Sequence, residues 1–267
     1  MKNSINDTDV VRLADLNQVQ FWCDGANWVP GSEILLQRDL VLIDSALDFP
    51  GCNAAFNLSE DSAEKPEDFI AKIKSFFSGR KQAFSLILRG HADKPIIEYC
   101  NNKNEFLVAE QPGMVLDSPV KVASVPVGAR LYWVKNAKEI RDFGQIVSEA
   151  YLDLAYPEEC SKGYFAHPKR VMNPYTIMAV VHLDGEPVST AMAMLSHGIA
   201  GIYWVGTLKK VRERGLAEYV VGEVCNKAFN MGARKVILQA SKFGEPIYLK
   251  MGFREFTRYP WFICSSE

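Results

Sequence analysis

The stretch "VRERGLAEYVVGEVCNKAF", residues 211–229, sets Arg212, Gly215 and Ala217 at the head of an apolar, helix-like run. The first turn of a helix leaves backbone N–H groups without partners, and the helix dipole adds roughly half a positive charge there. Such a turn attracts an anion such as a pyrophosphate, provided no side chain stands in the way. Gly215 has no side chain and Ala217 only a methyl group, while Lys209, Lys210, Arg212 and Arg214 bring positive charge to the same loop. The same residues equally describe a solvated helix start in which the glycine only makes a turn. Other signatures are missing. There is no GxxxxGK followed by Ser or Thr, GLAEYV lacks the third glycine of a dinucleotide fingerprint, and neither GxSxG nor HExxH occurs.

The elements that would position this loop follow from periodicity. Residues 131–135 read as a strand and 137–154 as a helix, with Ile140, Phe143, Ile146, Val147, Ala150, Tyr151 and Leu154 on one stripe and Tyr156-Pro157 as its stop. Two strands then meet at Asp184-Gly185, a dipeptide that tolerates positive φ in a two-residue hairpin turn. A strand over 201–208, the helix over 215–231, a strand over 235–240, a short helix over 245–251 and an aromatic strand over 254–263 complete the order. That order predicts a mixed α/β sheet and not a doubly wound one. Upstream, the pattern predicts a helix over 66–79 with Phe69, Ile70, Ile73, Phe76 and Phe77 on its apolar stripe, a strand over 83–88, a helical turn in 93–102 and a strand over 105–110. Helix, strand, short helix, strand is also the order at the end of the chain, which points to a diverged internal duplication. Between the two, Pro112, Gly113, Pro119, Pro126 and Gly128 interrupt every periodic pattern over 109–130, so the expected units are 1–125 and 126–267.

Composition excludes several classes. With 30 basic against 32 acidic side chains the chain has no bulk attraction to nucleic acid, so an anionic partner needs a local site. The start "MKNSINDTDVVRLADL" is polar, and no uncharged apolar run reaches the roughly 18 residues that span a bilayer, so the expectation is a cytoplasmic protein without a membrane partner. The six cysteines are scattered, with no CxxC pair and no Cys/His set at zinc-like spacing, and read as buried reduced thiols with no metal.

"VGTLKKVRERGLA" followed after one helix and one strand by "LQASKFGEPIYLKMGF" resembles the Gcn5-related N-acetyltransferase (GNAT) superfamily. In that family an Arg/Gln-x-x-Gly-x-Gly/Ala loop binds the pyrophosphate of coenzyme A, and a later Tyr-x-x-x-Gly-Phe segment flanks the thiol. Arg212, Gly215 and Ala217 match the first, Tyr248, Gly252 and Phe253 the second, and the resemblance covers residues 131–263. It implies a GNAT-like fold in two GNAT-like halves. The backbone of Val205, Gly206 and Thr207 then contacts the pantetheine arm like a missing strand, and the amides of Glu213, Arg214, Gly215, Leu216 and Ala217 hold the pyrophosphate. Arg212 and Arg214 stand as phosphate neighbours or as partners of Glu213 or Glu218. Two positions depart from the family pattern: Lys209 stands where many relatives have Pro, and Ser241, assigned a cofactor hydrogen bond, where many have Asn. The first half has no Arg-x-x-Gly-x-Ala before its helix at 66–79, which implies a degenerate copy that packs on the catalytic half and shapes the acceptor pocket.

The function so implied is transfer of an acetyl group from acetyl-CoA to a primary amine by direct attack, without a metal. Tyr248 is the expected general acid, since a phenol with a pKa of about 10 can protonate a departing thiolate of similar basicity. No general base stands out; Glu149, His197, Tyr203 or a chain of waters could serve, and His91, His167 and His182 have no partner pattern. Tyr151, Tyr156, Tyr164, Phe165, Trp204, Trp261 and Phe262 could line an apolar acceptor pocket or be core. The acceptor is a small-molecule or peptide amine. The alternative is a non-catalytic acyl-CoA-binding or sensing protein, which would keep the loop and could dispense with Tyr248.

Overall fold

The computed structural model describes residues 7–60, 64–80, 82–122 and 124–266. The first half runs α1 (Asp7–Trp28), β1 (Glu33–Leu36), β2 (Leu40–Asp44), β3 (Ala54–Asn57), α2 (Pro66–Ser78), β4 (Phe84–Ile87), α3 (Lys94–Asn102) and β5 (Phe106–Leu116). The second runs β6 (Ala129–Trp133), α4 (Ala137–Ala150), α5 (Glu158–Phe165), α6 (Pro168–Val171), β7 (Thr176–Leu183), β8 (Glu186–Ser196), β9 (Ile199–Thr207), α7 (Leu216–Asn230), β10 (Val236–Gln239), α8 (Glu245–Lys250) and β11 (Arg254–Cys264). No helix among the described residues is long and apolar enough to cross a membrane.

All eleven strands form one mixed sheet in the order β1-β2-β3-β4-β11-β5-β10-β9-β8-β7-β6. The pairings repeat: β1-β2 and β2-β3 are antiparallel and β3-β4 parallel, as β7-β8, β8-β9 and β9-β10 are. The last strand of each half crosses to the other. β11 pairs with β4, and β5 pairs with β10, while β5 and β11 pair with each other. Side chains fix the exchange: Phe262 and Cys264 of β11 join the first half's core with Ile73, Phe77 and Phe84, and Met114 and Leu116 of β5 join the second half's core. Burial of a large apolar side chain is worth about 1.5–3 kcal/mol, so neither strand peels off cheaply.

Pro112 and Gly113, expected to interrupt regular structure, lie inside the eleven-residue β5. Two local facts allow this. The Pro112 carbonyl accepts from Ala240 N (2.9 Å) where β10 has just ended, so its ring nitrogen faces a place that needs no ladder donor. At Gly113 a Cβ would stand 2.7 Å from the Tyr259 ring and 3.0 Å from Thr257, so the strand is bare there because Tyr259 lies across it.

The 22-residue α1 packs over β8 and β9 as well as β2, and against α5 and α6, so the first half roofs part of the second. Its docking is polar. Asn17 donates to the Met194 carbonyl (3.2 Å) and to Ser196 Oγ (2.7 Å) and accepts from the Tyr203 hydroxyl (2.7 Å), while Asp15 accepts from the Tyr259 hydroxyl (2.7 Å). The Tyr203 ring folds back over Gly201, where a Cβ would meet Asn17 Oδ1 at 2.1 Å and the Tyr203 hydroxyl at 2.6 Å. Gly201→Ala therefore costs about 1–3 kcal/mol, the usual range for overpacking, read as a lower urea midpoint at unchanged m-value.

Candidate active site

The site begins where two parallel strands part. β9 pairs with β10 only at Ala200↔Val236 and Gly201↔Ile237, then runs on through Thr207 with no partner on that side, while β10 continues against β5 to Gln239. Leu208 N donates to the Val188 carbonyl and Ser189 Oγ to the Gly206 carbonyl, so residues 206 and 208 face β8 and the backbone of Val205 and Thr207 faces the split. Trp204, with φ of 49°, forms a bulge between the Thr190↔Gly206 and Met192↔Tyr203 pairs. Gly206 lets the end of α4 come close: a Cβ there would sit 3.1 Å from Ala150 Cβ.

Beyond β9 a 3-10 turn over Lys209–Val211 leads into two left-handed residues, Glu213 (φ 65°) and Gly215 (φ 74°). Gly215 is the N-cap of α7, and nothing lies within 4 Å of where its Cβ would be. No side chain caps this helix, and the amides of Leu216, Ala217 and Glu218 have no acceptor among the described residues. Orphan donors under a bare glycine make the loop an open anion cradle. Arg212 braces it: its Nε donates to the Thr207 carbonyl (3.0 Å), and its guanidinium pairs with Asp153 and reaches the Ala150 carbonyl (3.4 Å). That hydrogen bond holds the Asp153 carboxyl below the usual carboxylate range. Arg212 is thus paired with Asp153 and with neither Glu213 nor Glu218; Glu218 pairs with Lys250 of α8 (2.8 Å). Glu213 and Arg214 are exposed.

Tyr248 lies in α8, past the end of β10. Its ring sits where Gly244 has no side chain, since a Cβ there would meet the ring at 2.6 Å, and it packs on Phe253 (centroids 5.7 Å apart). Burial, then the nearby Cys225, raise its pKa above the ordinary tyrosine value. Tyr248 is also close enough to Tyr151, after burial itself, to help raise that phenol's pKa. Ser241 supports the same turn: its Oγ accepts from Gly244 N (3.2 Å) and its carbonyl from Gly244 N and Glu245 N (both 3.0 Å).

A parting of two strands, an uncapped glycine-headed helix after the first and a buried tyrosine after the second is the arrangement the sequence resemblance implied. Residues 140–253 match the model of the acetyltransferase (GNAT) family. This segment is a GNAT domain. Across nearly the whole chain the fold is similar to that of a GCN5-related N-acetyltransferase from Kribbella flavida (20% identity, TM-score 0.69, 94% of each chain covered). It is also similar to one from Sphaerobacter thermophilus (15%, TM-score 0.63, 95% of this chain and 92% of that one). A tandem GNAT protein from the clavulanic acid biosynthesis pathway aligns over 99% of this chain and 97% of its own (11%, TM-score 0.62). At these identities the likeness is one of fold. No curated protein matches the chain.

On the face of the GNAT domain under α1, five of the seven aromatic residues expected to line a pocket gather around the bulge: Tyr151, Tyr156, Tyr164 and Phe165 surround Trp204 with centroids 5.4–6.2 Å from it. Phe21 of α1 completes the group, stacked on Tyr203 at 3.7 Å, a contribution from the first half that no local pattern announces. Trp261 and Phe262 lie elsewhere, because β11 carries them into the first half, where Trp261 donates to Ser85 Oγ (2.7 Å). The three candidates for general base are spread apart. His197 forms the β8–β9 turn at the far end of the strand, Glu149 is exposed and accepts from Gln145 (2.9 Å), and Tyr203 is a buried donor to Asn17 whose pKa burial raises.

Among the described residues the first half holds no such opening. β3 pairs with β4 through three residues and stops at Asn57, whose side chain donates to Asp93 Oδ1 (2.8 Å). The buried Arg89 donates to Asp93 (2.8 Å) and to the Ser59 carbonyl (2.7 Å), stitching the strand ends together. α2 starts with Pro66 and carries Glu67 and Asp68 in its first turn, acids that repel an anion. α3 and α8 each have a proline as second residue, and with their starts aligned Ile97 stands where α8 has Tyr248.

Proposed function

We propose that the protein transfers an acetyl group from acetyl-CoA to a primary amine by direct attack. The two units are 1–125, a degenerate GNAT-like half, and 126–267, the catalytic half. The pantetheine arm runs along the open edge of β9 on the backbone of Val205 and Thr207, passing Gly206, whose own backbone groups face β8 and not, as expected, the arm. The amides of residues 213–217 receive the pyrophosphate, with Arg212 bracing the loop, Arg214 on its rim and Ser241 beside the arm. The amine forms a C–N bond to the thioester carbonyl carbon and the C–S bond breaks. The departing thiolate takes the Tyr248 proton, and the proton shed by the amine leaves through water. No covalent enzyme intermediate is needed, and the six cysteines, all buried free thiols, have no part in the reaction.

The observation that carries this reading is the combination of an open, uncapped helix start at Gly215 with a buried, protonated Tyr248 on the two elements that follow the parted strands. Calorimetry with acetyl-CoA on the full chain is expected to give one site per chain, since the first half has its strand ends tied and acids at α2. Thiol release on a panel of amines is then expected for at least one acceptor. Binding without turnover on any acceptor identifies an acyl-CoA sensor, and absence of binding overturns the reading.

A further inference from the structure

Cys52 closes a 3-10 turn over Pro50–Cys52 in the first half, yet its side chain joins the core of the GNAT domain. The loop that carries it lies tightly on α5: a Cβ at Gly163 would stand 2.6 Å from Leu47 Cδ2, and the Phe49 ring meets Tyr156 edge-on at 5.3 Å. Tyr164 of α5 donates from its hydroxyl to the Cys52 carbonyl (3.4 Å). Residues four apart share one face of a helix, so Cys160 stands one turn before Tyr164 on the face that meets this loop. There its sulfur accepts a hydrogen bond from the Cys52 thiol, while the Tyr156 hydroxyl lies 3.0 Å from Cys52 Sγ. Two thiols more than a hundred positions apart in the chain thus meet at the junction of the halves.

The two are not equivalent. The hydrogen bond from Cys52 holds the Cys160 thiol below its ordinary pKa, while burial, with Cys160 second, pushes that of Cys52 up. Cys160 also keeps 5% of its surface exposed, and Cys52 none. A second close pair, Cys100 of α3 and Cys264 of β11, is wholly buried in the first half's core. The thiolate is the nucleophile toward a peroxide, and exposure decides which thiolate the peroxide meets. Cys160 is therefore placed to react first and Cys52 to resolve the product.

We propose that Cys52 and Cys160 form a reversible disulfide when the chain meets a hydroperoxide, and that this bond fastens the first half to the GNAT domain. The Cys160 thiolate, its proton given to water, attacks the peroxide O–O bond. An S–O bond forms, the O–O bond breaks, and the hydroxide released takes up a proton to become water. The Cys52 sulfur then attacks the Cys160 sulfur. An S–S bond forms, the S–O bond breaks, and the hydroxyl leaves as water with the Cys52 proton. The thiol pair gives up two electrons, and hydrogen peroxide is reduced to two waters. The bond is separate from the acetyl transfer proposed above, in which no cysteine takes part.

Hydrogen peroxide added to the folded full chain, followed by alkylation of the remaining thiols in denaturant and peptide mass mapping, tests it. The expected product is a peptide pair joined at Cys52 and Cys160, with the other cysteines alkylated and the bond lost on adding dithiothreitol. The melting transition of the oxidised chain is expected to rise by about 5–10 °C, since the bond closes a long loop. Cys160→Ser removes both the bond and the rise. Sulfinic acid at Cys160 with no bond, a bond confined to Cys100 and Cys264, or no oxidation at all overturns the pairing. A complete bond without a higher transition, or a rise that persists in Cys160→Ser, overturns the fastening of the halves. If Cys160→Ser does not fold, mapping and melting of the unmodified chain decide alone.

Discussion

Tyr248→Phe is expected to lower kcat by roughly a hundredfold or more while moving the dissociation constant for acetyl-CoA by less than about twofold, because in the proposed reaction the phenol acts on the leaving thiolate and not on the bound ground state. The ring keeps its seat over Gly244 and its contact with Phe253 without the hydroxyl, so the variant separates proton donation from packing. Binding is measured by calorimetry and turnover by thiol release with the best acceptor. The pH profile adds a second reading. Burial, with the Cys225 neighbour second, raises the Tyr248 pKa, so the acid form persists above the roughly pH 10 at which an ordinary tyrosine ionises. The alkaline limb of kcat that belongs to this group therefore lies above about pH 10, and the phenylalanine chain lacks it. Turnover unchanged in Tyr248→Phe would reduce the residue to a packing role.

The local geometry of the loop was legible because its signals are short-range. A glycine at a helix start and a Tyr-x-x-x-Gly-Phe segment are read from neighbouring residues, and Gly215 duly caps α7 with positive φ. The Asp184-Gly185 turn was legible for the same reason, with φ of 52° and 93°, while His197-Gly198, with φ of 53° and 76°, makes a second turn of that kind where none was expected. What escaped is non-local. α1 went unread because Asp15, Asn17 and Gln18 are polar yet buried, so hydropathy hides the face that docks; their partners Tyr203 and Tyr259 lie nearly two hundred residues or more away. The crossing of β5 and β11 depends on which core Met114 and Phe262 enter, and no spacing within either strand encodes that. The helix expected over 137–154 is regular only to Ala150, after which a 3-10 turn over Tyr151–Leu154 brings Tyr151 onto Trp204 and Asp153 to Arg212. Here a deviation from ideal helix is what builds the candidate site.

Gly215→Glu is expected to weaken acetyl-CoA by roughly a hundredfold or more without unfolding the chain. Two terms add. A carboxylate above the first turn of α7 competes for the orphan amides of Leu216, Ala217 and Glu218, and charge-assisted hydrogen bonds of that kind are worth about 1.5–3 kcal/mol each. It also sets a negative charge against the pyrophosphate. The fold survives because no atom lies within 4 Å of the new Cβ, so the cost is the left-handed backbone, about 1–2 kcal/mol for a side-chain-bearing residue against a typical total of 5–15 kcal/mol. Gly215→Ala bears the same backbone cost without charge or length, so its affinity falls less, and the gap between the two variants isolates the anion effect from strain. Thermal melting with and without acetyl-CoA reads both quantities at once: the ligand-free transition moves about equally in the two variants, while the ligand-induced rise shrinks for alanine and vanishes for glutamate. A glutamate chain that keeps its full ligand-induced rise would show that the cations and glycine of this loop are only a solvated helix start.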